Sequence, residues 1–447
     1  MNKKKMREIA EKKIKRISKV SVKNLFGMFN HTIPLNLDDR ITIVHSPNGF
    51  GKTIILKLLD EMFSQQTLAL RTTPFEEFRI DFDDGTSFWV TPTDHSSQEN
   101  EEEEYLTLSS ITFHATDRPL FTMRYSLSPS TVSFRQLSLD DLFYNEKAAE
   151  YQEELVLRWG RSGPGVVQER EPEWLVEMRQ SISIRLIATQ RLLNLRVAKQ
   201  RSSRLSEQQP AISTVTMYST ELAKTIQTKL AESASLSQSL DRTFPERVFA
   251  SQNYMGEEEI SRRLAELDEK RARLMSTGLL EQEGSSFQLQ SGEQVDESKK
   301  IMLSVYIEDT EKKLKVFDEL ARKIELLTTI INNRFLYKRM TIDKVQGFVF
   351  TARNNTMLSL ESLSSGEQHE LVLFYELLFK VAPGSLILID EPEISLHVIW
   401  QEQFLKDVQA VTKMTDTDVL IATHSPDIID DRRDLMVELR GPENGEL

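Results

Sequence analysis

From Ile14 onward, short apolar and polar runs alternate through IKRISKVSVKNLFGMFNHTIPLNLDDRITIVHSP. Strand side chains point alternately to two faces, so this stretch predicts three strands. The last strand enters the turn SPNGFGKT, and the apolar spacing of IILKLLDEMF then predicts a helix. Further strands are expected at FRIDFDDGTSFWVTP, where Asp84-Gly85 marks a hairpin, and at LTLSSITFHAT and TMRYSLS. The acidic run SSQENEEEEY between them is expected to be an exposed hairpin tip. The pattern turns helical from Leu139 to Trp159, is broken at Gly163, Pro164 and Gly165, and returns to a buried strand at SISIRLIATQRL.

A different texture runs from about Asn194 to Asn333, polar, charged and helical. Ile260, Leu264, Leu267 and Leu274 fall at heptad-like spacing, interrupted by Arg271. Phe317, Leu320, Ile324, Leu327 and Ile331 repeat at three-four spacing. A Ser-, Gly- and Gln-rich stretch separates the two runs. Two helices with a loose tip predict an antiparallel, coiled-coil-like arm; the alternative is a helical subdomain packed on the core. Strands return at RMTIDKVQGFVFTARNNTMLSL, with Asn354-Asn355 as a turn, followed by a helix start at ESLSSGEQ and apolar strands at GSLILIDEP and DVLIATHSP. The expected fold is α/β, with an N-terminal lobe at 1–193, a helical insertion at 194–337 and a C-terminal lobe at 338–447.

Composition narrows the function classes. A chain of 447 residues exceeds one ordinary core, and a charged share of 28% fits long solvated helices. With no cysteine, disulfides, thiolate zinc sites and Cys nucleophiles are excluded. No signal-peptide core and no membrane-length apolar run is evident, so a cytoplasmic protein is expected. A net charge of -13 works against DNA unless basic residues are gathered locally. One such gathering exists at Lys3, Lys4, Lys5, Arg7, Lys12, Lys13, Lys15 and Arg16; the alternative is a solvated helical lead-in.

Four short motifs carry the chemistry. In SPNGFGKT, Asn48, Gly49 and Gly51 let backbone N–H groups approach a phosphate at a helix N-terminus. Lys52 is placed to pair with the β- and γ-phosphates and Thr53 to hold Mg²⁺. Ser46 stands where a glycine usually opens such a loop, which is acceptable if its backbone angles suit an L-residue. In LILIDEP, an apolar strand presents Asp390 and Glu391 at its end, the first as a Mg²⁺ ligand and the second as a base for the attacking water. SLSSGEQ places small residues and Gly366 at a second helix N-terminus, an anion site that makes sense if it caps the nucleotide of another copy. LIATHSP ends a strand at His424, which can reach the γ-phosphate.

In this order, NGFGKT, LSSGEQ, LILIDEPEISLH and IATHSP resemble an ABC-type ATPase head. More narrowly, the chain resembles the branch shared by overcoming-lysogenization-defect nucleases and stand-alone ATPases of bacterial anti-phage systems. The resemblance implies that ATP and Mg²⁺ are bound and that Ser364 and Gly366 act across a dimer. It also implies that Gln190 senses Mg²⁺ ahead of the insertion, with Arg191 an alternative functional residue, and that Ser395 to His397 cross the dimer interface. The usual signature form is LSGGQ; Ser365 and Glu367 depart from it, and Glu367 sets a negative charge near a phosphate.

Only DIIDDRRDLMVELRGPENGEL follows Pro426, so no nuclease domain is expected in this chain. Asp427, Asp430, Asp431 and Asp434 are expected to form an exposed helix end rather than a metal site. The implied role is an ATPase sensor and scaffold that assembles with itself, holds a separate effector and responds to a phage protein. Size and domain content most resemble the ATPase subunit (AriA) of PARIS-type systems, which pairs with a TOPRIM nuclease; Septu-type and retron-associated ATPases are alternatives. The competing class is a DNA-clamping ATPase of the recombination type.

Overall fold

The computed structural model describes residues 15–93, 106–127, 170–188, 213–251, 253–281 and 296–441. Most of the N-terminal basic cluster, the acidic run, the 139–159 segment, Gln190 and Arg191, and most of the Ser/Gly-rich stretch lie outside these residues. The chain divides into two compact units: 1–188 with 382–392 and 416–447, and 189–381 with 393–415. Elements are numbered in chain order.

The first unit contains β1 (Ile17–Leu25), β2 (Phe29–Pro34), β3 (Ile41–His45), α1 (Lys52–Phe63), α2 (Leu68–Thr72), β4 (Glu77–Phe82), β5 (Ser87–Thr93), β6 (Leu106–Ala115), β7 (Phe121–Leu127), α3 (Glu173–Ser181) and β8 (Ile184–Ile187). It is completed by β12 (Leu386–Asp390), β13 (Asp418–Thr423), α10 (Pro426–Ile429) and β14 (Met436–Glu438). One sheet, β2-β1-β4-β5-β6-β7, is antiparallel throughout. Strand β2 buries every second residue, as expected of a strand with one face to the core. The turn at Asp84-Gly85 joins β4 to β5, with Gly85 at φ +82°.

The second sheet, β14-β3-β13-β12-β8, is wholly parallel. Its strands β12 and β13 are buried at every position, the signature of a sheet covered on both faces. Helix α1 buries Ile55, Leu56, Leu58, Leu59 and Met62 and packs on β8, β12 and β13. Both sheets contribute to one apolar core. Of the basic cluster, Lys15 pairs with Asp84 and Arg16 with Asp418, so these two cations serve the fold itself. Arg432 bonds to both Asp434 and Asp39, which accounts for one of the four C-terminal aspartates.

The other unit contains α4 (Thr214–Ala250), α5 (Glu257–Ser276), α6 (Glu297–Lys315), α7 (Asp318–Arg334), β9 (Lys338–Asp343), β10 (Gly347–Ala352), β11 (Met357–Leu358), α8 (Ser365–Phe379) and α9 (Val398–Thr415). Strands β11-β10-β9 form an antiparallel sheet whose last turn places Asn355 at φ +62°. The insertion differs from a two-helix hairpin in having four helices among its described residues. The first heptad run lies on α5, which packs on α6, while the second lies on α7, which packs on α8 and β9. Helix α6 escaped the periodic reading because Leu303, Val305 and Ile307 are buried at spacings that make no one-sided stripe. Arg271, the interruption in the first run, bonds to Asp268 and to the Tyr306 hydroxyl of α6. No described helix is long and apolar enough to cross a membrane.

Candidate functional site

The loop between β3 and α1 has the shape its sequence predicts. Gly49 and Gly51 adopt φ +90° and +86°, a region closed to most L-residues. Gly51 is fixed by space as well as by angle, because a Cβ there would stand 2.6 Å from Leu25 Cδ2. Ser46 is fully buried and does not occupy the left-handed region, so a side chain is compatible with its backbone. Accordingly, Ser46→Gly is expected to leave ATP affinity within about twofold of the parent, since its hydroxyl contact to the Pro47 carbonyl, at 3.3 Å, is long for an O–H···O bond and stays within the loop. A titration with a fluorescent ATP analogue checks this, and a tenfold change would show that the serine is needed.

Helix α1 begins at Lys52 with no side-chain cap and no acidic residue in its first turn. The helix itself therefore supplies no carboxylate to its positive end. The Lys52 ammonium is buried and donates to the carbonyls of Ser46, at 2.6 Å, and Pro47, at 3.0 Å. Glycine cradle, uncapped helix end and local cation together fit a polyphosphate.

The acid pair arrives from the end of β12. Asp390 is buried, and its Oδ1 accepts from the Thr53 hydroxyl at 2.9 Å. That hydroxyl–carboxylate pair is the donor set expected for Mg²⁺ beside a phosphate chain. Glu391 sits at φ +42°, an uncommon conformation for a residue with a long side chain, and its N–H donates to the Ala422 carbonyl at 2.9 Å. His424 follows β13, with Nδ1 4.0 Å from Glu391 Oε1. This is ion-pair reach when the imidazole is protonated and too long for a direct hydrogen bond. Lys52, Thr53, Asp390, Glu391 and His424 thus gather at the carboxyl ends of β3, β12 and β13, where open parallel sheets hold their ligands. Asn48 lies exposed in the loop, and Gln190 lies outside the described residues.

In the other unit, Ser364 caps α8, with Gly366 in the first turn. Ser364 and Glu367 form a capping box: the Ser364 hydroxyl accepts from Glu367 N–H, and the Glu367 carboxylate accepts from Ser364 N–H at 2.7 Å. Lys338 Nζ also donates to that carboxylate at 2.7 Å. Burial pushes the Glu367 carboxyl up, but the bonds from Lys338 and Ser364 outweigh it and hold the group below the usual range. The negative charge anticipated near a phosphate is therefore paired within its own unit. Sequence reading missed Lys338; the S-x-x-E spacing from Ser364 to Glu367 was the signal for the box. In the segment after the acid pair, Ile394, Val398 and Ile399 are exposed.

The family described as "AAA domain, putative AbiEii toxin, Type IV TA system" matches residues 178–430. That stretch holds the SLSSGEQ segment, the acid pair and His424, while the phosphate loop lies ahead of it. No curated protein is significantly similar in sequence. Solved structures with similarity include an Smc head domain with an extended coiled coil, bound to the C-terminal domain of ScpA and derived from Pyrococcus furiosus. It is 14% identical, with TM-score 0.34, covering 95% of this chain and 94% of that one. The SMC head domain from Thermotoga maritima is 11% identical, with TM-score 0.32, covering 93% of this chain and 92% of that one. An SMC head bound to the C-winged helix domain of ScpA is 10% identical, with TM-score 0.36, covering 95% and 98%. The family match spans more than half of the 447 residues, and the chain belongs to this AAA-domain family of P-loop ATPases.

Proposed function

We propose that the chain binds ATP with Mg²⁺ and hydrolyses it, and that the reaction controls assembly with a second copy and with a separate effector protein. The observation that carries the ATPase reading is the Thr53–Asp390 hydrogen bond, which joins the phosphate loop to the acid pair. In this reading the backbone of Asn48, Gly49 and Gly51 cradles the phosphates and Lys52 pairs with the β- and γ-oxygens. Thr53, Asp390 and Gln190 hold Mg²⁺, which supplies charge neutralisation on the phosphate oxygens. Glu391 accepts a proton from the attacking water as its oxygen bonds to the γ-phosphorus and the bond to the ADP oxygen breaks. His424 reaches the γ-phosphate and reports its loss. Phosphate release measured on the purified chain tests the reading; no ATP-dependent release above background would end it.

Self-association is supported by the position of Ser364 and Gly366 at an exposed helix N-terminus and by the exposed apolar side chains that follow the acid pair. Ser364→Arg is expected to lower turnover by about tenfold or more, through bulk and lost capping at the site of a developing charge. Lys52→Ala should be equally inactive on its own. Mixing the two proteins should restore turnover toward a quarter of the parent's, because a mixed dimer contains one intact composite site. Full activity of Ser364→Arg as a monomer would rule out action across a dimer.

The finer role is that of a sensor and scaffold in bacterial anti-phage defence, holding a TOPRIM-type nuclease until a phage protein is detected. The motif order supports it, as does a family description that names a toxin of a toxin–antitoxin system. Co-purification with products of adjacent genes, with and without ATP, followed by mass measurement, tests the partner. Duplex DNA binding that requires ATP and falls steeply with salt, with no protein partner, would favour the DNA-clamping role instead.

A further inference from the structure

The alternation of β2 assigns its core-facing positions to residues 29, 31 and 33, and two of these are the apolar Phe29 and Ile33. The third is His31, only 4% exposed. A polar ring at an apolar register position needs a bonding partner, and here the partner belongs to the phosphate loop: His31 Nε2 lies 3.0 Å from the Phe50 carbonyl oxygen. That oxygen can only accept, so Nε2 is the nitrogen that carries the proton. The His31 ring stacks on Phe29 at 5.5 Å, and Phe29 in turn meets the Phe50 ring at 5.5 Å. Burial holds the imidazole below its ordinary pKa, against the smaller upward pull of the Phe50 carbonyl.

We infer that His31 is a positioning residue for the phosphate loop, fixing the Phe50–Gly51 peptide so that its N–H is presented to the nucleotide phosphates. The peptide bond is trans and planar, so its C=O and N–H point in opposite directions. Holding the Phe50 carbonyl against β2 therefore turns the Gly51 N–H to the other side. The constraint matters because Gly51, on one side of this peptide, and Gly49, next before Phe50, both sit at positive φ, and glycine rotates more freely than any other residue. Leu25, pressed against Gly51, and Phe29, against Phe50, supply shape; His31 supplies the direction of the peptide. A loop fixed before the nucleotide arrives loses less conformational freedom on binding.

This inference rests on the ATPase reading, and its test separates the two. In the full-length chain, His31→Phe keeps an aromatic ring to stack on Phe29 and removes the donor. It is expected to raise KM for ATP by about tenfold, the effect of one hydrogen bond, with kcat within about threefold. The ATP-induced rise in Tm should shrink while the Tm without nucleotide stays near the parent's. His31→Gln places an amide nitrogen the same number of bonds from Cα as Nε2 and should restore KM; His31→Asn is too short and should not. A folded His31→Phe with the parent's KM, or a folded His31→Gln as impaired as His31→Phe, would overturn the inference. Lys52→Ala is measured alongside. If ATP binding survives that change, the site itself is misread; if only His31→Phe leaves binding intact, the positioning role alone falls.

Discussion

Glu391→Gln should slow ATP turnover by about 10²–10³-fold while preserving or strengthening ATP-dependent assembly. The amide has the size and shape of the carboxylate but cannot take a proton from water. The backbone bond from Glu391 N–H to Ala422, which fixes the residue at φ +42°, is untouched by the exchange. Ground-state binding should hold, because Lys52, Thr53 and Asp390 remain in place. The uncut nucleotide then keeps its γ-phosphate, and any assembly that depends on it persists. Phosphate release and native mass, each with and without ATP, give both halves of the result. Turnover equal to the parent's would remove Glu391 as the base.

Lys52→Ala is expected to weaken ATP binding by about 100-fold, which corresponds to about 2.7 kcal/mol. That lies within the range of a hydrogen bond to a charged group, roughly 1.5–3 kcal/mol. The ammonium now rests on the carbonyls of Ser46 and Pro47, two neutral acceptors on the loop itself. Phosphate oxygens carry full charge and are stronger partners, so the side chain has reason to exchange one for the other. Calorimetric titration with ATP measures the change, and unchanged affinity would exclude the phosphate-loop reading.

The elements around this site were readable because each carried a local signal. Strands β12 and β13 are unbroken apolar runs ending in Asp390-Glu391 and in His424, and such runs belong to sheets buried on both faces. The loop was readable from Gly49, Gly51, Lys52 and Thr53, while the tolerance of Ser46 needed its backbone angles. Long-range partners left no trace in pattern. Nothing in the spacing pairs Lys338 with Glu367, or His31 with Phe50, since those contacts come from tertiary packing. The helices described in the insertion beyond the two expected were hidden for a related reason: α6 is buried on more than one side, so its periodicity is blurred.

The parallel sheet also constrains how this protein is made. Among the described residues strand β3 takes its hydrogen-bonded neighbours from β13 and β14, and Arg16 finds Asp418 across 402 positions of chain. The β2-β1-β4-β5-β6-β7 sheet, by contrast, is built from early, largely sequential strands. During translation the antiparallel sheet can form while the phosphate-loop strand still has an open edge. That edge stays exposed until residues 418–438 have left the ribosome, and closure over such a distance is slow. The Thr53–Asp390 contact is completed only after β12 is made, and the vulnerable period for misassembly lies before β13 docks.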